Sequence, residues 1–404
     1  MTRAVAVTAN PRGWFEHLTL LKRAVHFSGV LTVPNRYMHV ALVLMGMALP
    51  ASAADTSWEG KTVILTRPGV SLQLRDGEKI APKTSGVARD FMFQVLKDEK
   101  LHLRVSSRRQ QGWIAKNDAI PLDQAVAYFT DKMARNPKDS HAFTARGLAL
   151  MSKNQDKALA DFDKAIQLDP KATLAYYHRA NLAYGRRQLD KALADYSFVI
   201  RTDPGFDWAY HVRGWIYYRK KDYDRALADY ETAIRLVPTE TVFYRDRGNI
   251  ALVRKQYDRA LADYTKSIEL DPHYAVPWLQ RGKTWVAKKD YAKALADYEK
   301  SVQLASKDSF ASYFYVNLAL FRAGCPDVGC RNGNKALEAA RKAYELTKGP
   351  AEMAALAAAH SELGHFDKAL EFQRKAVDLA PAEEKKPYRE RLKLYESEKP
   401  YRPE

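Results

Sequence analysis

Arginine and aspartate recur through the middle of the chain at fixed places. Arg146, Arg179, Arg213, Arg247 and Arg281 each precede a glycine or alanine, and Asp161, Asp195, Asp229, Asp263 and Asp297 each follow another alanine by three residues. A guanidinium and a carboxylate held in constant register form bidentate ion pairs, and an arginine drawn into a protein interior keeps such a partner. The pattern predicts a ladder of Arg–Asp pairs, within or between repeating units; a ligand-binding role for these arginines is the alternative. The other reactive residue types are not arranged for catalysis. The ten histidines are scattered, and His360 and His365 point in different directions on a helix with no HExxH context. Neither a Gly-rich phosphate loop nor a G-x-S-x-G elbow occurs. Cys325 and Cys330 are too few ligands for a structural zinc site. In an exported protein they are close enough in sequence for a short-loop disulfide, and a pair of free thiols is the other reading. No metal, no cofactor and no enzymatic activity are expected.

These charged residues ride on a repeat. From Ser140 to Asp308 the chain repeats itself every 34 residues: Ala158, Ala192, Ala226, Ala260 and Ala294 form one series, Pro170, Pro204, Pro238 and Pro272 a second, and Ala180, Gly214, Gly248 and Gly282 a third. Gly or Ala, then Ala twelve residues on, then Pro twelve beyond, at a strict 34-residue period, resembles the tetratricopeptide repeat (TPR) family. The resemblance implies a mainly all-α chain, a TPR α-solenoid built as a right-handed superhelix of helix–turn–helix pairs. Each pair must stack on its neighbours, because alone it cannot bury its apolar face. In the third unit Tyr210, Gly214 and Tyr217 share one face of the first helix, and Ala226, Tyr230 and Ala233 supply the matching face of the second. Pro238, lacking an amide donor, ends that second helix.

The TPR register implies a concave surface lined by the first helix of each pair. Its outward positions are Leu174, Tyr177, Asn181 and Tyr184 in the second unit, then Trp208, His211, Trp215, Tyr218 and Arg219 in the third. Arg245 and Asn249 follow in the fourth, Leu279 and Lys283 in the fifth. Aromatic side chains beside cations suit an extended peptide with acidic or apolar anchors; packing of these aromatics between helices is the alternative. One subclass of the family clamps a C-terminal carboxylate with Lys and Asn four residues apart, then Asn on the next helix. Arg245 and Asn249 fit the first part with Arg for Lys, but Gln280 stands where the second Asn belongs. That ligand is therefore not expected.

The flanks have their own character. Residues 1–53 read as a signal peptide with an N-terminal extension: an apolar run, MHVALVLMGMALPASA, ends in an A-x-A site that places cleavage between Ala53 and Ala54. No later segment is apolar and long enough to span a membrane, so a soluble mature protein is expected. Residues 57–119 alternate in short β-rich stretches, with a turn at Asp76-Gly77. The Gly112-Trp113-Ile114 step before Asp118 resembles the bacterial SH3-like barrel, which implies Trp113 packed in the barrel core, with a place lining a ligand groove as the alternative. Residues 121–138 form a capping half-repeat, and 139–381 a TPR array of about seven units with a Cys-containing insertion near 324–334. The last two units lack the Arg and Asp of the ladder, and 382–404 form a capping helix and tail. The closing segment resembles that of exported bacterial TPR proteins carrying such barrels.

The formal net charge of +17 is interleaved with acids along the helices rather than run together, which points to a solvated surface. The expected function is a non-enzymatic scaffold or adaptor, in the periplasm or outside the cell, that binds a protein or peptide partner in the concave groove. The alternative is a binder of cell-wall material or another anionic polymer, using the barrel and the basic surface. The export signal speaks against nucleic acid as a partner.

Overall fold

The computed structural model describes residues 57–76, 79–87, 92–99, 101–107, 111–305 and 310–403. Residues 1–53 with the Ala53–Ala54 site, Gly77 of the expected turn, and Asp308 at the end of the regular stretch lie outside the described residues. The chain divides into two compact units, one running to Asp222 and the other from Tyr223.

The first unit opens with a seven-stranded antiparallel sheet in the order β3-β2-β6-β5-β4-β1-β7. Its strands are β1 (Thr62–Leu65), β2 (Ser71–Asp76), β3 (Lys79–Val87), β4 (Met92–Glu99), β5 (His102–Ser106), β6 (Gln111–Ala115) and β7 (Ala119–Pro121). Alternation fixes its two faces. Val63 and Leu65 join Leu72, Phe93, Val105 and Ile114 in one core, while Ile64 between them turns to Ala125, Phe129 and Ala142 of the helices. Gly112 is glycine because β2 passes close: a Cβ there would lie 2.9 Å from that of Leu72. Trp113 is buried. The sheet meets the helices without a linker, since β7 ends at Pro121 and α1 begins at Leu122. Lys132 on that helix ties the seam by donating to the Thr66 carbonyl.

Sixteen α-helices follow among the described residues. The first unit holds α1 (Leu122–Arg135), α2 (Ser140–Leu150), α3 (Gln155–Leu168), α4 (Thr173–Gly185), α5 (Leu189–Thr202) and α6 (Asp207–Arg219). The second holds α7 (Tyr223–Leu236), α8 (Thr241–Val253), α9 (Tyr257–Leu270), α10 (Ala275–Ala287), α11 (Tyr291–Leu304), α12 (Ala311–Gly324), α13 (Gly333–Leu346), α14 (Pro350–Glu362), α15 (Phe366–Leu379) and α16 (Lys385–Glu396). Even-numbered helices from α2 to α14 open a pair, and odd-numbered ones close it. Small residues set the spacing inside a pair: a Cβ on Gly147 would meet the Phe162 ring at 2.7 Å, and one on Gly248 the Tyr264 ring at 2.8 Å. After the closing helix, Asp169, Asp203 and Asp271 each accept the amide two residues on, across the proline that stops the helix.

The turn inside a regular pair needs one residue in the left-handed region, supplied by Arg187, Lys221, Lys255 and Lys289 with φ near +60°. The first pair, whose turn is one residue shorter, has none among them. The residue just before each carries a cation to the first turn of the preceding closing helix: Arg186 to Asp156, Lys220 to Asp190, Arg254 to Asp224 and Lys288 to Asp258. An acid there also complements the positive helix end. These pairs are exposed, so each contributes only a few tenths of a kcal/mol, about the value of a surface pair.

The predicted ladder is more than a set of pairs. Arg146, Arg179 and Arg281 are forks that bind their own pair and the one before it. Arg146, Arg179, Arg247 and Arg281 send Nε and Nη2 to both oxygens of Asp161, Asp195, Asp263 and Asp297, all at 2.7 to 3.0 Å. The remaining Nη1 reaches back to the preceding closing helix, at Thr130 from Arg146, Asp163 from Arg179, Ser197 from Arg213 and Thr265 from Arg281. An aromatic ring one turn earlier lies against the guanidinium, Tyr176 for Arg179, Tyr244 for Arg247 and Trp278 for Arg281. Hydrogen bonds donated to Asp161, Asp195 and Asp263 raise the pKa of Arg146, Arg179 and Arg247 against the opposing effect of burial.

Candidate recognition surface

In the first unit the opening helices α4 and α6 bring the predicted aromatics together. Tyr177 is half-buried, its ring 4.7 Å from that of Phe206. Asn181 accepts the hydroxyl of the buried Tyr196 at 2.6 Å, so the amide orients the core as well as the surface. Trp215 donates its indole N–H to the Tyr184 hydroxyl at 2.7 Å, which couples the two helices. Trp208 sits edge-on to His211, with ring centres 4.7 Å apart, and Trp215 stacks on Tyr218 at 5.5 Å. Burial divides this set. Tyr177, Asn181, Tyr184, Trp208 and Tyr218 are half-buried and Arg219 is exposed, whereas His211 and Trp215 are 2% and 6% exposed. The last two serve the packing between helices rather than present a face to a ligand.

In the second unit the corresponding positions are occupied with one another. Arg245, a predicted groove cation, is 3% exposed and forms a bidentate pair with its neighbour Asp246. It also donates to the Tyr274 hydroxyl. Burial opposes its charge, but Asp246 and Tyr274 outweigh that and raise its pKa. Asn249 accepts from both the Tyr264 hydroxyl and Gln280, and donates to Asp246. Lys283 donates to the Tyr313 hydroxyl at 2.9 Å, and Leu279 lies in the core. A carboxylate arriving here would have to displace Asp246, an internal acid that the sequence pattern does not announce because it sits beside the arginine rather than at a ladder position.

The cysteine loop follows a different plan. Cys325 and Cys330 are both buried and unlinked, and burial pushes the Cys325 thiol up to about 11 and that of Cys330 upward as well. The C-terminal tail crosses this loop. Arg402 donates to the Ala323 carbonyl at 3.0 Å and pairs with Glu362, which also pairs with Arg331. Gly324 makes room for the tail, since a Cβ there would stand 2.8 Å from Pro403 and 2.9 Å from Tyr401. Nothing in the spacing of these residues signals that contact.

Among the described residues no group of three or more His, Cys, Asp or Glu is placed to hold a metal, and no helix is long and apolar enough to cross a membrane.

Residues 208–240 and 242–274 match a family model of the tetratricopeptide repeat, and residues 353–383 match a second model of the same repeat. No curated protein matches the chain. Among solved structures, the Cut9–Hcn1 hetero-tetramer of APC/C superposes with a TM-score of 0.51 at 15% identity, covering 68% of this chain and 52% of that one. YrrB, described as a TPR protein with an unusual peptide-binding site, gives 0.41 at 23% identity over 46% of this chain and 97% of its own. Yeast Tom70 gives 0.49 at 19% identity, over 68% and 59%. The Cut9–Hcn1 likeness carries the fold alone. With the family matches and the helix pairs described above, it shows a solenoid of helix pairs in which residues 208–240, 242–274 and 353–383 are tetratricopeptide repeats.

Proposed function

We propose that the chain is a non-enzymatic scaffold that binds an extended peptide segment of a partner protein along α4 and α6. Tetratricopeptide repeats mediate protein–protein contacts, and one observation carries the reading to this face. Tyr177, Tyr184, Trp208 and Tyr218 stand half-buried on neighbouring opening helices while the nearby ladder cation Arg179 is already held by acids. A surface of rigid aromatics with satisfied charges binds apolar side chains at low entropic cost. Arg219 at its edge is the exposed cation for an acidic residue of the partner. The A-x-A site ending at Ala53 supports a place of action outside the cytoplasm, and fractionation of cells making the tagged chain tests it.

Selection of peptides from a random library on the full-length protein tests the surface. Selected peptides should lose binding by roughly tenfold or more when Tyr177, Trp208 and Tyr218 are replaced together by Ala, with helical content kept. Binding should change little between low and high salt. Unchanged binding by the triple variant overturns the assignment to this face. A steep fall with salt, with retention of wall fragments instead of peptides, supports a binder of anionic polymer.

A further inference from the structure

The last helix pair departs from the fork that its predecessors share. Counting from the small residue of the opening helix and the alanine of the closing one, Leu356 stands where Arg281 does and Phe372 where Asp297 does. The backward acceptor changes too. Arg341 on α13 occupies the place of Thr265 on α9, five residues after the alanine. Where a regular pair has arginine, aspartate and a hydroxyl or acid, this one has leucine, phenylalanine and an arginine. Between α13, α14 and α15 lies a cavity of about 330 Å³, lined by Arg341, Leu356, His360, Lys368 and Phe372 among others.

Its floor is apolar and its rim is cationic. Leu356 and His360 are buried, and the His360 ring lies parallel to that of Phe372 with centres 5.7 Å apart. Nδ1 of His360 is buried with no hydrogen-bond partner among the described residues. Arg341 and Lys368 are exposed, and among the described residues neither makes a hydrogen bond or an ion pair. Glu371, the one acid of the lining, is paired with Lys375.

We propose that this notch binds a carboxylate carried on an apolar body, an external replacement for the aspartate that the last pair lacks. The anionic end meets Arg341 and Lys368, and the apolar part lies on Leu356 and Phe372. Arg341 then makes with the incoming group the kind of planar, two-bonded contact that Arg146, Arg179, Arg247 and Arg281 make internally. The volume is at the lower end of small-ligand sites. Burial, Lys368, His365 and Arg341 hold the His360 imidazole below its ordinary pKa, and Glu371 acts the other way. An added negative charge moves that pKa up. The notch is built mainly on closing helices, whereas the peptide surface is built on the opening helices α4 and α6.

The test uses the full-length protein with phenylacetate, its uncharged analogue phenylacetamide, and the blocked dipeptide acetyl-Phe-Glu-amide. Phenylacetate should bind saturably, the amide roughly tenfold more weakly, and the His360 ring signal in NMR should titrate at higher pH when the site is filled. Arg341→Glu should weaken binding by roughly tenfold or more. Leu356→Arg with Phe372→Asp rebuilds the regular fork inside the slot and should abolish binding while the chain stays helical. If that pair of changes unfolds the last repeat, Arg341→Glu, at an exposed position, decides alone. Tighter binding of the dipeptide supports the notch with a peptide as the source, and tighter binding of phenylacetate supports it with a free acid as the source. No saturable binding of either probe, or undiminished binding after Arg341→Glu, overturns the proposal.

Discussion

The regular pairs and the last two pairs solve the same packing problem with opposite use of charge. In the α2–α3, α4–α5 and α10–α11 pairs the arginine binds the aspartate of its own pair and a side chain of the closing helix before it, so one guanidinium ties both the pair and the step to its predecessor. In α12 to α15 the equivalent positions hold leucine, alanine and phenylalanine, and the buried charges that remain, Arg322 and Glu352, stand elsewhere on their helices. Arg322 still reaches back to Glu299 on α11, one turn further along its helix than the ladder arginines. Among the described residues no arginine of the last pair reaches back in this way, and the pair's outer end is held by α16 and the tail, where Tyr395 is fully buried. A regular interior that neutralises its own charge leaves aromatics as the surface available to a partner. An apolar interior leaves cations at the rim, and these are the groups that recognise an anion.

Placing a new charge in the packed interior of the regular pairs should give the largest effect. Acid does this at His141 on α2, which is 8% exposed and edge-on to Phe129. Burial and Lys132 push its pKa down to about 4, while Asp139 pulls it up. A histidine held neutral in the folded chain stabilises it fully above the unfolded pKa of about 6.5, and that contribution is lost as pH falls toward 4. Hydrogen exchange of the α1–α2 region should report a loss on the order of 2 to 3 kcal/mol across that window, with no further loss from this group below it. His141→Gln should flatten the profile. An unchanged profile would mean that the imidazole already takes up its proton in the folded state.

Removing one arm of a fork should cost somewhat less. Asp263→Ala leaves the half-buried Arg247 guanidinium without its bidentate partner, and about 2 kcal/mol of local stability in α8 and α9 should go with it. Some screening by solvent keeps the figure below that of a fully buried pair. The matching residue of the last pair is Phe372, and Phe372→Ala removes chiefly packing, with one exposed contact of Lys375 over the ring. High salt should therefore reduce the cost of the first change and leave that of the second almost as it was. Equal salt response in the two would erase the distinction between the regions.

Most of this architecture is legible in the sequence, because the repeat writes each structural need several times over. Gly147 and Gly248 mark close crossings, Pro170 and Pro272 mark helix ends, and the fixed Arg and Asp positions announce their pairing. The backward arm of the fork is hidden, since Thr130, Asp163, Ser197 and Thr265 differ in type and share only an ability to accept. The inner face is half legible. Aromatic identity at Tyr177 and Trp208 is visible in the sequence, but whether a given aromatic faces outward or, like Trp215, closes a gap between helices depends on packing across pairs. Arg245 misleads for a related reason: its partner Asp246 is adjacent in sequence, where helical spacing suggests the two should diverge. The strap of Tyr401 and Arg402 over the cysteine loop depends on contacts far apart in the chain, with no periodicity to flag them.

The smallest expected effect lies in the turns, and there the two regions differ by one residue. Regular pairs place Arg187, Lys221, Lys255 or Lys289 in the left-handed region, while the last pair has Gly364 there with φ of +74°. A side chain with a Cβ pays roughly 1 kcal/mol in that region, and glycine does not. The regular pairs thus carry a strain that the last pair avoids, and the neighbouring cation that pairs with Asp156, Asp190, Asp224 or Asp258 is unaffected by which residue makes the turn. Lys255→Gly should therefore stabilise the α8–α9 pair by about 0.5 to 1 kcal/mol, the lower figure allowing for the extra freedom of glycine in the unfolded chain. Gly364→Lys should destabilise α14–α15 by a similar amount. Hydrogen exchange of the amides on either side of each turn measures both. If Lys255→Gly is instead neutral or harmful, the lysine stems contribute packing over the turn that offsets their backbone cost, and the difference between the two regions is smaller there than the dihedral angles imply.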